Sequence, residues 1–83
     1  MKIAIIQMSV AQGDFQKNIE KSEALAKLAK EKGAELAVFP EMFLCGFNYK
    51  KNLEFLKLNG NTLEAEICAI AKRNKIAICG TIP

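Results

Sequence analysis

Few side chains in this 83-residue chain have the chemistry to move a proton or attack a carbonyl, and their spacing narrows the set further. The segment AVFPEMFLCGF, residues 37–47, ends an apolar run in Pro40 and then sets one carboxylate, Glu41, before Met42, Phe43 and Leu44. An ionised side chain is costly to remove from water unless something compensates it. Glu41 is therefore either turned to solvent or held in place for chemistry. Apolar neighbours such as Phe39, Met42 and Phe43 disfavour the charged form, which suits a general acid or base working near neutral pH. The residues alone leave two roles open: proton transfer, or a strand-end carboxylate that faces water or accepts backbone hydrogen bonds after Pro40.

Other chemistry is less well supported. Cys45 lies four residues from Glu41, but the chain has no histidine to activate a thiol, and buried cysteine commonly serves as a small hydrophobe. Packing is the expected role of Cys68 and Cys79 as well. Three cysteines without CxxC spacing and without histidine argue against a zinc site or a disulfide framework, and they suit a reducing cytoplasm. Gly46, Gly60 and Gly80 form no phosphate cradle, and the first apolar run leads into Ser9-Val10-Ala11-Gln12-Gly13, not GxGxxG. Neither a metal nor a cofactor is expected.

The elements that must position Glu41 follow from hydrophobic patterning. Residues 2–8, KIAIIQM, 35–39, ELAVF, and 75–79, KIAIC, are short runs of continuous apolarity, as expected of parallel strands covered on both faces. Between the first two, Asp14 is a candidate N-cap, and Ile19, Ser22, Leu25, Ala26 and Ala29 share one helical face; Gly33 after Lys30 and Lys32 marks the end. Asn18, one turn after Asp14, falls on the inner stripe, where it would satisfy a loop backbone group. Before the third run, Asn61 and Glu64 resemble a capping box, and Leu63, Ile67, Ile70, Ala71 and Asn74 line a stripe. The order is β-α-β-α-β with right-handed crossovers, so Glu41 stands just past the carboxyl end of the second strand, where parallel sheets bind ligands. The connection over residues 42–60 carries Phe43, Phe47 and Tyr49, candidates for one wall of a small-molecule pocket, and a helical turn at Asn52 to Leu58.

Composition excludes several classes. At 51% apolar and 25% charged residues, the chain has both a core and a solvated face, which rules against disorder. Its net charge of +3 is spread as Lys17, Lys21, Lys27, Lys30 and Lys32 interleaved with Glu20, Glu23 and Glu31, a salted helix surface and not a nucleic-acid stripe. Gln7 interrupts an apolar N-terminal run already too short for a secretory segment or a membrane span. Length bounds residues 1–83 to one domain or part of one.

These residues resemble the start of the nitrilase superfamily, the carbon-nitrogen hydrolases. The resemblance is carried by KIAIIQMSV, Gly13-Asp14 with Asn18, GAELAVFPEMFLCGF and AEICAIAKRNKIAICGTIP, and it covers essentially the whole chain in order. It implies the N-terminal part of a four-layer α-β-β-α sandwich and a Glu-Lys-Cys triad acting on amide, nitrile or N-carbamoyl bonds, with Glu41 as the triad glutamate. The family's lysine and nucleophilic cysteine come from later strands, so the resemblance implies an N-terminal fragment, inactive alone. It also implies one sheet face left bare, with self-association or a complementary C-terminal piece to cover it. The competing readings are a non-catalytic α/β assembly or binding module, and an unrelated small doubly wound ligand-binding domain in which Glu41 is structural.

Overall fold

The computed structural model describes residues 1–46, 49–59 and 62–81, with residues 49, 55, 56, 58 and 59 described in backbone only. The elements run β1 (Ile3–Ile5), α1 (Phe15–Glu31), β2 (Leu36–Val38), α2 (Tyr49–Asn59), α3 (Thr62–Asn74) and β3 (Ala77–Cys79). The three strands form one parallel sheet in the order β1-β2-β3. The mixed α/β class and the parallel crossovers agree with the sequence reading. Two details differ: the strands are shorter than the apolar runs, and the expected turn at residues 52–58 is a full helix, α2, giving β-α-β-α-α-β. Asn61 of the expected capping box lies outside the described residues.

The strands are short, but pairing continues past their ends. The Ile6 amide donates to the Val38 carbonyl, Glu35 to Lys2, Ala77 to Glu35 and Phe39 to Cys79, all at 2.8–3.0 Å. β2 is thus central and bonded on both edges, so the loop following it starts from a strand held on both sides.

Side-chain alternation divides the sheet into two unlike faces. Register aligns Ala4, Ala37 and Ile78 across the strands, and this row meets the helices, with Ala37 fully buried. Small residues on both sides, Ala4 and Ala37 from the sheet and Ala26 and Ala29 from α1, let the helix backbone come close. The opposite face carries Ile3, Leu36 and Ala77 in one row and Ile5, Val38 and Cys79 in the next. Ile3 and Ile5 are 50% and 70% exposed. Coverage on both faces, expected from continuous apolarity, therefore holds for one face only, because α1 and α3 pack side by side on the same side of the sheet. The packing role expected of Cys68 and Cys79 is corrected too. Both are exposed, since Cys79 has the parity of the open face and Cys68 points away from the buried Leu63 and Ile70 of α3.

Local chemistry sets the helix ends. The Asp14 side chain caps α1 by accepting from the Lys17 amide at 3.1 Å. At its other end the Ala34 amide donates to Ala29 and the Gly33 amide to Lys30, with Gly33 at φ 88°, a Schellman motif on the glycine the sequence offers. α3 ends the same way, Ile76 donating to Ala71 and Lys75 to Lys72, but its left-handed residue is Lys75 at φ 51°. A lysine is strained there, so Lys75→Gly is expected to raise the unfolding free energy by about 0.5–1 kcal/mol. Urea titration of the two chains checks this, and an unchanged or lower midpoint counts against it. The helices are tied together by Arg73, which donates to Glu23 from Nε at 2.9 Å and also from its terminal nitrogen, while Asn74 donates to the same carboxylate. Hydrogen bonding from Arg73, joined by Asn74 and the Arg73 charge, holds the Glu23 carboxyl below its ordinary pKa, against desolvation.

Candidate active site

At the carboxyl edge of the sheet three loops meet: residues 6–14 after β1, 39–46 after β2, and Gly80–Thr81 after β3. The middle loop starts with the Phe39 amide bonded to the Cys79 carbonyl at 2.8 Å, passes Pro40, which has no amide hydrogen, and reaches Glu41 at the surface. Next comes Met42 in the left-handed region, φ 51°, with its amide donating to Thr81 Oγ1 at 3.0 Å. The Met42 carbonyl accepts from Cys45 at 3.1 Å and Gly46 at 2.7 Å, closing a compact turn. Gly46 has φ 71°, a conformation that L side chains rarely adopt, so the turn favours glycine on conformation; a Cβ there would meet only the side-chain amide end of the exposed Gln12.

The turn is fastened to the loop after β1 by one buried side chain. Asn18, fully buried in α1, accepts from the Ala11 amide at 2.8 Å and donates to the Ala11 carbonyl at 2.7 Å and the Leu44 carbonyl at 3.0 Å. The Gly13 amide adds a bond to the Cys45 carbonyl at 2.8 Å. The sequence reading, in which Asn18 satisfies a loop backbone group, is thus realised with three bonds. Asn52 of α2 is buried as well and donates to the Gly46 carbonyl at 3.1 Å, so α2 clamps the far end of the same turn. Asn52 was read only as the start of a helical turn; its burial went unnoticed because a polar residue in a short, weakly patterned helix carries no burial signal.

Each sequence-selected residue has a definite place. Glu41 is exposed at the carboxyl edge of the central strand, and no described residue hydrogen-bonds its carboxylate. Phe43, expected on a pocket wall, is 1% exposed; its ring stacks on Phe39 with centroids 4.6 Å apart and underpins the turn from inside. Phe47 lies outside the described residues, and Tyr49 opens α2 with only its backbone described. Cys45 is fully buried, and burial pushes its thiol pKa up against a hydrogen bond with Asn52 that favours the thiolate. A thiol kept protonated and out of solvent is a packing group, in agreement with the sequence reading. Among the described residues no three His, Cys, Asp or Glu gather into a cluster that could hold a metal ion, and no helix is long and apolar enough to cross a membrane.

The chemistry available here is that of one solvent-facing carboxylate on a loop held at both ends: it can accept a proton or a hydrogen bond from a group brought to it. Besides Asn52, the parts played by Gly80 and Thr81 escaped the sequence reading. Their available signal was position, directly after an apolar run whose strand neighbours the one bearing Glu41.

Known proteins have related sequences. The chain is 35% identical over 66 residues to a nitrilase of Pyrococcus abyssi, covering 80% of this chain and 25% of the relative. It is 31% identical over 67 residues to a glutamine-dependent NAD(+) synthetase of Thermotoga maritima, covering 77% and 12%, respectively. With an arylacetonitrilase of Trametes versicolor the identity is 44% over 48 residues, 57% of this chain and 15% of the relative. The chain thus spans a quarter or less of the length of each relative. No solved structure matches it. Residues 2–83 match the sequence model of the carbon-nitrogen hydrolases, and on that match the chain belongs to the carbon-nitrogen hydrolase family.

Proposed function

We propose that the chain supplies the glutamate of a Glu-Lys-Cys hydrolase acting on small-molecule amides, nitriles or N-carbamoyl compounds, with Glu41 as its general base. The observation that carries this reading is the placement of Glu41, exposed on a turn held by hydrogen bonds on both flanks at the carboxyl edge of the central strand. In the proposed mechanism Glu41 accepts the proton of a cysteine thiol supplied by later sequence as sulfur attacks the carbonyl or nitrile carbon. A lysine, also from later sequence, stabilises the negative charge that develops on the substrate. From an amide, Glu41 returns that proton to the departing amine as the C–N bond breaks; from a nitrile, the thioimidate first adds water and releases ammonia; a further water then hydrolyses the thioester to the acid and regenerates the thiol. Phe47 and Tyr49 are proposed as substrate-pocket residues, with Phe43 acting from beneath the turn. On this reading the 83-residue chain by itself hydrolyses no amide. The test is to graft the chain in place of the aligned quarter of the Pyrococcus abyssi nitrilase and compare turnover with and without Glu41→Gln. The three free thiols, Cys45, Cys68 and Cys79, favour a reducing, cytoplasmic setting.

A second reading, that of an assembly module, has its own support in the open sheet face bearing Ile3, Ile5, Leu36 and Val38. A contiguous apolar face of this kind drives association. The chain is therefore expected to self-associate or to bind a complementary C-terminal piece. Sedimentation velocity should show mass rising with concentration and hydrophobic dye should bind, both effects falling in Ile5→Lys. A monodisperse monomer without dye binding would dispose of the idea.

A further inference from the structure

We propose that Thr81 is a positioning residue for Glu41, holding the Glu41–Met42 peptide in place through the Met42 amide; the functional consequence rests on the reading of Glu41 as the general base. Segment 39–42 is bonded to a single short stretch of β3 and its extension, residues 79–81. The Phe39 amide donates to the Cys79 carbonyl at 2.8 Å, and three residues later the Met42 amide donates to Thr81 Oγ1 at 3.0 Å. Between these anchors lie only Pro40, with no amide hydrogen to give, and Glu41 itself. The second anchor is a side chain, not a ladder carbonyl, because Met42 has turned into the left-handed region, φ 51°, and its amide no longer points along the sheet. L side chains seldom adopt that conformation, so the bonds around the residue must favour it. Thr81 Oγ1 and the paired bonds from Cys45 and Gly46 to the Met42 carbonyl do so from opposite ends of the residue.

Gly80 explains how Thr81 comes so near. A Cβ at residue 80 would lie 2.6 Å from Phe43 Cε1 and 3.4 Å from Phe39 Cβ, and the Phe43 ring, buried and stacked on Phe39, has no room to yield. Glycine therefore lets the extension of β3 lie on the aromatic pair and present Thr81 to the turn. Glycine and hydroxyl act together: one provides the approach, the other the hydrogen bond. Because Thr81 touches the peptide after Glu41 and not the carboxylate, its role is to fix where that carboxylate stands.

The test is backbone amide exchange by NMR on the 83-residue chain, with Thr81→Val to remove the hydroxyl at nearly constant shape and Thr81→Ser to retain it. Met42 exchange is expected to be about tenfold faster in Thr81→Val, the scale of one net hydrogen bond, and to return to its original rate in Thr81→Ser. The amides of Ala37 and Ile78 should keep their protection, and the Glu41 carboxyl carbon resonance should move in the valine variant and return in the serine one. A general structural role would move the sheet amides together with Met42; such a result, or an unchanged Met42 rate in a folded Thr81→Val chain, or no rescue by serine, overturns the proposal. Should Thr81→Val fail to fold, the unsubstituted and serine chains decide. Met42 protected in both supports the hydrogen bond, and Met42 exchanging as an open amide in either refutes it. Exchange is read without substrate, so a Glu41→Gln graft that kept its turnover would remove the catalytic reading and leave the Met42 result standing.

Discussion

Glu41→Gln is expected to lower the turnover number of the grafted nitrilase by about 10²- to 10⁴-fold, the usual contribution of a general base, with KM changed by no more than about twofold. Glutamine keeps the size of the side chain and one acceptor oxygen but cannot take up a proton at neutral pH. The loss therefore falls on the chemical step and not on substrate binding. The fold should not register the change, because Glu41 is exposed and its carboxylate has no hydrogen-bond partner among the described residues; surface substitutions of this kind move stability by about 0.5 kcal/mol or less. Steady-state kinetics on the two grafts, with circular dichroism to show equal folding, measures the effect. Turnover within tenfold of the unsubstituted graft would remove Glu41 from the chemistry and leave the assembly reading, with its open sheet face, in possession.

Asn18→Ala should be the most damaging single change to the fold. The side chain is fully buried and its three hydrogen bonds join the loop after β1 to the turn that carries Glu41. Alanine leaves the buried Leu44 carbonyl and the part-buried Ala11 amide and carbonyl without this partner, at about 1–3 kcal/mol for the buried group and about 0.5–1.5 kcal/mol for each bond lost at Ala11. A total of about 3 kcal/mol or more is a large share of the roughly 4–12 kcal/mol that a domain of this size holds. Asn18→Asp should be no better. It keeps the acceptor for Ala11 but turns a carboxylate oxygen toward two carbonyls that need a donor. Urea titration is expected to show the midpoint falling by a third or more for either variant, against a small change for Lys17→Ala on the exposed side of the same helix. A loss below about 1 kcal/mol would mean that the loops close without Asn18.

Much of this arrangement could be read along the chain because its causes are local. Asp14 caps α1 by bonding three residues ahead, Gly33 ends it by accepting a left-handed conformation, and the apolar runs at residues 2–8, 35–39 and 75–79 each contain a strand. Asn18 was visible too, as a polar residue on an apolar stripe, since a buried amide at such a position must find backbone to bond. Glu41 at the edge of the second strand followed from the parallel order implied by strands alternating with helices.

What the chain could not announce depends on contacts between distant segments. Continuous apolarity placed Ile3 and Ile5 under cover because periodicity reports that a residue is apolar, not whether anything covers it; the family resemblance implied one bare face, and the placement of α1 and α3 on the same side of the sheet decided that it is theirs. Phe43 looked like a pocket wall until Phe39 and Gly80 closed around it. Thr81 acquired a role only when parallel pairing brought residue 81 against residue 42, thirty-nine positions earlier. The sequence by itself determined the element types, the helix ends and the carboxylate at the strand's edge, because each is set by a residue and its near neighbours along the chain. The tertiary structure alone decided which face is bare and which side chains hold that carboxylate, because those depend on segments that meet only after the sheet has formed.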